Sequence, residues 1–368
     1  MMVEECFPAT RLKKDMALLP RRIDKLMMIA VLVVALALPP FLGDYWLKGV
    51  MIPMLILSIS ALGLNIVTGF AGLISLGQGA FMAVGAFTGV IAYGRYGIPI
   101  PLTLLIAGAM AAAVGAVVGA PSLRIKGLYL LVATLAAQFI ILWVIQRVPW
   151  IGAGSMVTIN TPPVFIAGLH IDEALEQYYF ALCVAALLTV FALNLTRSRV
   201  GRAWMAIREQ DVAASVMGVS MLRYKLMAFM ISAFYGGIAG AMVVFAWVGA
   251  ASVQEYDLDL SIQLLGMIII GGLGSVLGSY LGAIFVALFP IAISIAMHNI
   301  YAISGGDIVS AATLANAEHL LFGALIVFFL IVEPLGLSHL WHRFSGSVEA
   351  KLSRFPTTNQ TPTRRRPM

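Results

Sequence analysis

The sequence predicts an all-α polytopic membrane protein of about ten transmembrane helices, and three observations carry that expectation. Hydrophobic residues make up 61% of the chain against 11% charged, and the mean hydropathy is +0.97. The apolar residues fall in runs long enough to cross about 30 Å of hydrocarbon as helices. Lys and Arg sort into one set of loops, as positively charged loops retained in the cytoplasm do. A water-soluble chain of 368 residues would have to hide more apolar surface than one core of that size holds.

Taken in order, the first element is a polar arm, residues 1–25. It is too long for a secretory n-region and no A-x-A site follows the next apolar stretch, so that stretch is expected to be retained as a helix. Apolar runs then lie near 26–42, 50–68, 72–94, 99–121, 128–148, 177–195, 226–248, 260–276, 278–297 and 319–335. The 260–276 and 278–297 runs are almost continuous, and Gly271, Gly272 and Gly274 supply a turn between them. A membrane domain therefore covers 26–335, with a polar loop at 197–225. The tail 336–368 carries Arg364, Arg365 and Arg366 among Pro and Thr, the composition of a disordered end that can lie on anionic lipid.

Ten spans put both termini on one side. That side holds the arm, the Arg124/Lys126 loop, residues 197–225 and the tail, which together carry 20 of the 23 basic residues. Lys48, Arg95 and Arg147 stay on the other side with nine acids, Glu255, Asp257 and Asp259 among them. A nine- or eleven-span count breaks this sorting. The net charge of +6 is thus an orientation signal and not a nucleic-acid footprint. Cys6 in the arm and Cys183 in an apolar run give no metal spacing and no evident disulfide.

Much of the chemistry is an absence. Ionisable groups inside a membrane mark proton relays and ion paths, yet no Asp, Glu, Lys, Arg or His stands clearly mid-span. Arg147, Glu333, His298 and His319 fall near run ends or loops. No GxSxG, HExxH, CxxC or GxxxxGK[ST] occurs. Neither a catalytic residue, a metal site nor a cofactor is expected, and the chain is expected not to hydrolyse ATP itself.

Small residues at helical spacing are abundant instead. Gly115 and Gly119, Gly236 and Gly240, and Gly274, Gly278 and Gly282 recur every four residues, which lets helix backbones approach closely in lipid. Static packing accounts for most of them. A denser cluster lies in NIVTGFAGLISLGQGAFMAVGAFTG, where Asn65, Gly69, Gly72, Ser75, Gly77, Gln78 and Gly79 stand together, with Gly85 and Gly89 following. So many helix breakers imply a broken or re-entrant segment facing protein or a watery path. Those seven residues are the candidate translocation pathway.

The stretch GRAWMAIREQDVAASVMG, Gly201 to Gly218, looks soluble by contrast. Ser198 or Thr196 can cap a helix, residues 202–217 contain no Pro or Gly, and Gly218 can end the helix in the left-handed conformation. Arg202, Arg208, Glu209 and Asp211 face water on such a helix, while Trp204, Ile207, Ala214 and Met217 form an apolar stripe. The stripe suits either a helix lying on the membrane surface or a knob that docks into a partner.

Here the residues carry a resemblance. Ala213-Ala214, three residues and then Gly218 is similar to the core of the EAAxxxG loop of ABC importer permeases, with Val212 where that motif has its acid, Asp211 one place earlier, and no LP pair downstream. The longer string GRAWMAIREQDVAASVMG, with ALGLNIVTGFAGLISLGQGAFMAVGAF, resembles the branched-chain amino acid permeases of the LivM type over roughly residues 50 to 335. The resemblance implies a multi-pass permease of the bacterial inner membrane, paired with a second related permease, two cytoplasmic ATPase subunits and a periplasmic substrate-binding protein. It also implies ATPase coupling through Gly201, Arg202, Trp204, Ile207, Arg208, Glu209, Ala213, Ala214 and Gly218. An importer powered by separate ATPases needs no intramembrane acid and no phosphate loop of its own. Permeases for urea, amides or other amino acids share the resemblance, and a secondary transporter, a channel or a membrane scaffold remains an alternative.

Overall fold

The computed structural model describes residues 35–41, 43–122, 127–152, 158–162, 165–166, 169–170, 173–303, 323–324, 327–328 and 336–338. The arm 1–25, most of the 26–42 and 319–335 runs, the Arg124/Lys126 loop and nearly all of the tail lie outside the described residues.

Along the chain, α1 runs Asp44–Phe70, with wide π turns at Leu47–Met51 and Ile66–Phe70. Helix α2 is Gln78–Tyr96, ended by Gly97 in the left-handed conformation at φ 64°. Next come α3, Ile100–Ser122, and α4, Leu128–Arg147. After α5, Ala174–Arg197, come two short helices, α6 at Arg199–Glu209 and α7 at Asp211–Val216. Helix α8 covers Met221–Val248, its last turns again wide at Val243–Val248, and Gly249 at φ 76° stops it. Helices α9, Leu258–Gly271, and α10, Val276–Ile303, follow. Among the described residues, four two-residue strands decorate the loops. Ile159–Asn160 (β1) pairs antiparallel with Ala250–Ala251 (β4), and Phe165–Ile166 (β2) with Leu169–His170 (β3).

Among the described residues, α1, α3, α4, α5, α8 and α10 are long and apolar enough to cross a membrane. Hydrogen bonding along a helix pairs most of its backbone groups, which is what hydrocarbon demands, although Pro290 removes one donor within α10. The six divide sharply by burial. Most-apolar windows of α1 and α8 are 83% buried, against 28 to 39% for the other four. Helices α1 and α8 are therefore the centre, and α3, α4, α5 and α10 turn most of their apolar surface outward.

Glycine makes the centre possible. Gly85 of α2 lies against the backbone of Gly237, and Gly240 of α8 against the Met82 carbonyl. Gly115 faces Ala233 and Phe229, and Gly119 faces Leu226 and Phe229. On α10, Gly278 and Gly282 admit the backbone of α9 at Gly271 and Met267. A Cβ at Gly85, Gly240, Gly278 or Gly282 would collide with the facing backbone and push the helices apart, whereas at Gly119 it would only crowd side chains. The Gly271–Gly274 turn expected from the sequence is present, with Gly272 and Gly274 at φ 118° and 79°. It leaves α9 with 14 residues, or about 21 Å at 1.5 Å per residue, too short to cross alone.

Candidate functional site

The stretch from Gly201 to Gly218 folds as two helices, where a single one was expected. Ser198 caps α6 by accepting hydrogen bonds from the Val200 and Gly201 amides at 3.1 and 3.4 Å. Gly201 sits hard against the Thr196 carbonyl, so only glycine allows α5 to turn so sharply into α6. Helix α6 ends at Glu209 because Gln210 is extended, at φ −153° and ψ 105°. Absence of Pro and Gly did not keep the helix continuous, since Asp211 begins a new one. An acid favours a helix start, and this one is held there by Lys225 of α8 at 3.1 Å. Gly218, at φ 85°, closes α7 as expected.

This break splits the apolar stripe. Trp204 and Ile207 of α6 are buried, with the indole Nε1 donating to the Tyr224 carbonyl at 2.8 Å, and Ala214 of α7 is buried with them. Met217, placed on the same stripe by the sequence, instead points out with Val212 and Val216, at 85%, 75% and 84% exposure. Ala213 and Gly218 are also exposed, as are Arg202 and Glu209 on α6. Arg208 is exposed too, yet its Nη1 donates to the Gly69 carbonyl.

The glycine-rich segment is broken. Residues 71–77 leave helical geometry between α1 and α2. Gln78, first in α2, donates to the Ser60 carbonyl of α1 at 3.2 Å and to the Ser232 carbonyl of α8 at 3.3 Å, and accepts from Ser232 Oγ at 3.1 Å. Ser232 lies about 16 Å along α8 from its first residue, and Ser60 is likewise well inside α1. The chain therefore turns back into the bundle before α2 begins, so the segment is re-entrant. Of the seven candidate pathway residues, Asn65, Gly69, Ser75, Gly77, Gln78 and Gly79 are buried and Gly72 is exposed. Asn65 is fully engaged, donating to the Ser275 carbonyl at 2.8 Å and Ser279 Oγ at 2.9 Å and accepting from the Gly274 amide at 2.8 Å. Ser75 Oγ accepts from the Gly77 amide. Gly79 donates to Ser261 Oγ at 2.9 Å, and that hydroxyl donates to Gln138 Oε1 at 2.7 Å. Gln138 Nε2 beside it is buried without a partner among the described residues.

A second re-entrant piece escaped the sequence reading, which placed 249–259 wholly outside the membrane. From Gly249 the chain descends beside α8, and the Tyr256 hydroxyl donates to the Gly240 carbonyl at 3.4 Å. A Cβ on Gly79 would lie 3.1 and 3.2 Å from the Tyr256 and Asp257 carbonyls, so α9 starts at the level where α2 starts. Asp257 therefore stands at the level where α2 begins, its Oδ1 capping α9 by accepting from the Leu258 amide at 2.6 Å. It is exposed, in a groove of about 560 Å³ between α4 and residues 253–257, lined also by Phe139, Trp143, Gln146 and Gln254. The signals were the shortness of the 260–276 run and the positive-φ turn available at Gly249.

Comparisons with known proteins agree with this architecture. Residues 47–330 match the family described as branched-chain amino acid transport system / permease component. The chain is 34% identical over 289 residues to the high-affinity branched-chain amino acid transport system permease protein LivM of Escherichia coli, covering 72% of this chain and 67% of that protein. Against the LivM protein of Salmonella typhimurium the identity is 32%, with the same coverage. The autoinducer 2 import system permease protein LsrC of an Enterobacter species is 29% identical, over 58% of this chain and 64% of its own length. No solved structure gives a significant match.

Proposed function

The chain belongs to the branched-chain amino acid transport system permease family, and from that premise we propose that it is the membrane subunit of an ATP-driven importer of branched-chain amino acids. In this reading it pairs with a second related permease, is powered by two separate ATPase subunits and receives substrate from a periplasmic binding protein. The observation that carries the reading is α7, which holds Val212, Val216 and Met217 out from the bundle while α6 is fastened into it. An outward apolar face on a short, braced helix suits a protein partner better than lipid, because its neighbours Glu209 and Gln210 are polar and exposed.

We place this helix in the cytoplasm, with 149–176 and the upper part of 249–259 periplasmic. Labelling of a cysteine introduced at the exposed Ser215 by an impermeant reagent from outside intact cells would overturn that orientation. The translocation path lies, in this reading, along the face where α4 meets residues 253–257. An exposed carboxylate at mid-depth is costly against lipid tails, so the Asp257 face must be covered by the second permease or by water. Asn65, Gly69, Gly72, Ser75, Gly77, Gln78 and Gly79 then form the frame that holds this wall, and Gly201, Arg202, Trp204, Ile207, Arg208, Glu209, Ala213, Ala214 and Gly218 form the coupling segment. Reconstitution tests the whole: the permease pair, ATPases and loaded binding protein in proteoliposomes should take up leucine only with ATP. Uptake by the permeases alone, without ATPase, would point to a channel or secondary transporter.

A further inference from the structure

We propose that Arg208 is the positioning residue through which movement of α6 and α7 reaches the re-entrant segment, an inference that rests on the importer reading above. Its side chain leaves α6 and lies in a slot made by three glycines of two distant parts of the chain. The guanidinium Nη1 donates to the Gly69 carbonyl in the wide last turn of α1. A Cβ on Gly72 would lie 3.1 Å from Arg208 Cγ, and one on Gly274 would lie 2.7 Å from Arg208 Nη1. Both glycines have left-handed backbones, at φ 71° and 79°, so conformation demands glycine at both, and the arginine packs close against each.

On the far side of the same joint, Asn65 ties the end of α1 to the α9–α10 turn through Gly274, Ser275 and Ser279. Arg208 and Asn65 thus bracket the point from which both re-entrant features are hung: residues 71–77 leading into α2, and α9, whose first turn touches Gly79 through Ser261. Among the described residues, no other side chain of α6 or α7 hydrogen-bonds to the chain before α5. Trp204 and Asp211 hold instead to Tyr224 and Lys225 at the start of α8. A helix C-terminus presents unpaired carbonyls and partial negative charge, and arginine answers with several fixed donors where lysine offers a single point charge. Rigid attachment of α6 to this joint transmits displacement, whereas attachment to α8 alone would leave the re-entrant segments behind.

The test uses the full importer in proteoliposomes with leucine and its loaded binding protein as probe. Arg208→Ala and Arg208→Gln should both assemble with the ATPases and hydrolyse ATP, yet leucine taken up per ATP should fall at least about tenfold, with Arg208→Lys intermediate. A merely structural role would lower the amount of complex and leave uptake per ATP unchanged, and that result overturns the proposal. If the variants fail to accumulate, the unaltered arginine is read instead. Spin labels at the exposed Ala206 and Ile74 should keep one separation with and without ATP, while the Ala206 to Trp247 separation changes. An ATP-dependent change between Ala206 and Ile74 overturns the link. Wild-type vesicles that show no ATP-dependent leucine uptake would overturn the importer reading itself, separately from the role of Arg208.

Discussion

Helices α6 and α7 are consecutive and separated by one extended residue, yet they turn their apolar residues opposite ways: α6 inward and α7 outward. Helix α6 is built into its own chain by Gly201 against Thr196, by Trp204 on Tyr224 and by Arg208 on Gly69. Helix α7 buries only Ala214 and offers Val212, Val216 and Met217 outward. The difference teaches that a loop able to pass on force needs two parts, an anchor that does not yield and a surface that does not belong to the same chain. The extended Gln210 joins them.

Changes that break the anchor should have the largest effect. Gly201→Leu would drive a branched side chain into the Thr196 carbonyl, beyond the roughly 1 to 3 kcal/mol of ordinary overpacking. Membrane abundance, measured by quantitative immunoblot, should fall by about tenfold or more. Next comes the surface. Val216→Asp with Met217→Asp should reduce ATPase co-purification by about tenfold, equivalent to about 1.4 kcal/mol, and leave permease abundance unchanged. Ala214→Trp, by contrast, disturbs the anchor because Ala214 faces inward, so loss of both assembly and abundance is expected there.

Two smaller changes sharpen the comparison. Trp204→Phe keeps the aromatic filling but removes the indole donor to the Tyr224 carbonyl, which retains its place in the α8 hydrogen-bond ladder, so the cost is that of one hydrogen bond, about 0.5 to 1.5 kcal/mol. A lower thermal midpoint of the purified permease should result, with ATPase binding retained. Lys225→Met removes the pair with Asp211, in which the Lys side chain is 11% and the Asp side chain 32% exposed. The carboxylate left behind still reaches water, so the loss should lie between that of an exposed pair and that of a buried one, about 1 kcal/mol, seen as a shift of the same midpoint.

How far these elements were legible in the sequence depends on what sets them. The long helices follow from apolar runs alone, and α1, α3, α4 and α5 start and end within a few residues of their runs, save that α1 begins six residues early at Asp44, where the polar Lys48 and Gly49 hide a wide turn. The left-handed stops at Gly97 and Gly218 are readable because only glycine adopts them without strain. The re-entrant descent of 253–257 was not readable, since its cause is distant: Gly79 and Gly240 make room for it, and no local signal announces a partner far along the chain. The division at Gln210 was hidden for the same reason, because Lys225, and not a helix breaker, fixes where α7 starts. Of the nine coupling candidates, Gly201, Trp204, Ile207 and Ala214 are buried while Arg202, Arg208, Glu209, Ala213 and Gly218 are exposed, a division that follows from the break at Gln210 and that no residue of the stretch announces.

That α7 faces the partner while α6 faces the chain can be read from protection against an impermeant maleimide in inside-out vesicles. Cys6 and Cys183 are first replaced, and single cysteines are introduced at Val212, Val216 and Met217 on α7 and just beyond it, and at the exposed Arg202 and Met205 on α6. Adding the ATPase subunits should slow labelling at the three α7 positions and leave both α6 positions unchanged. Protection of Arg202 and Met205 with Val216 and Met217 left reactive would mean that α6, and not α7, is the partner-facing helix.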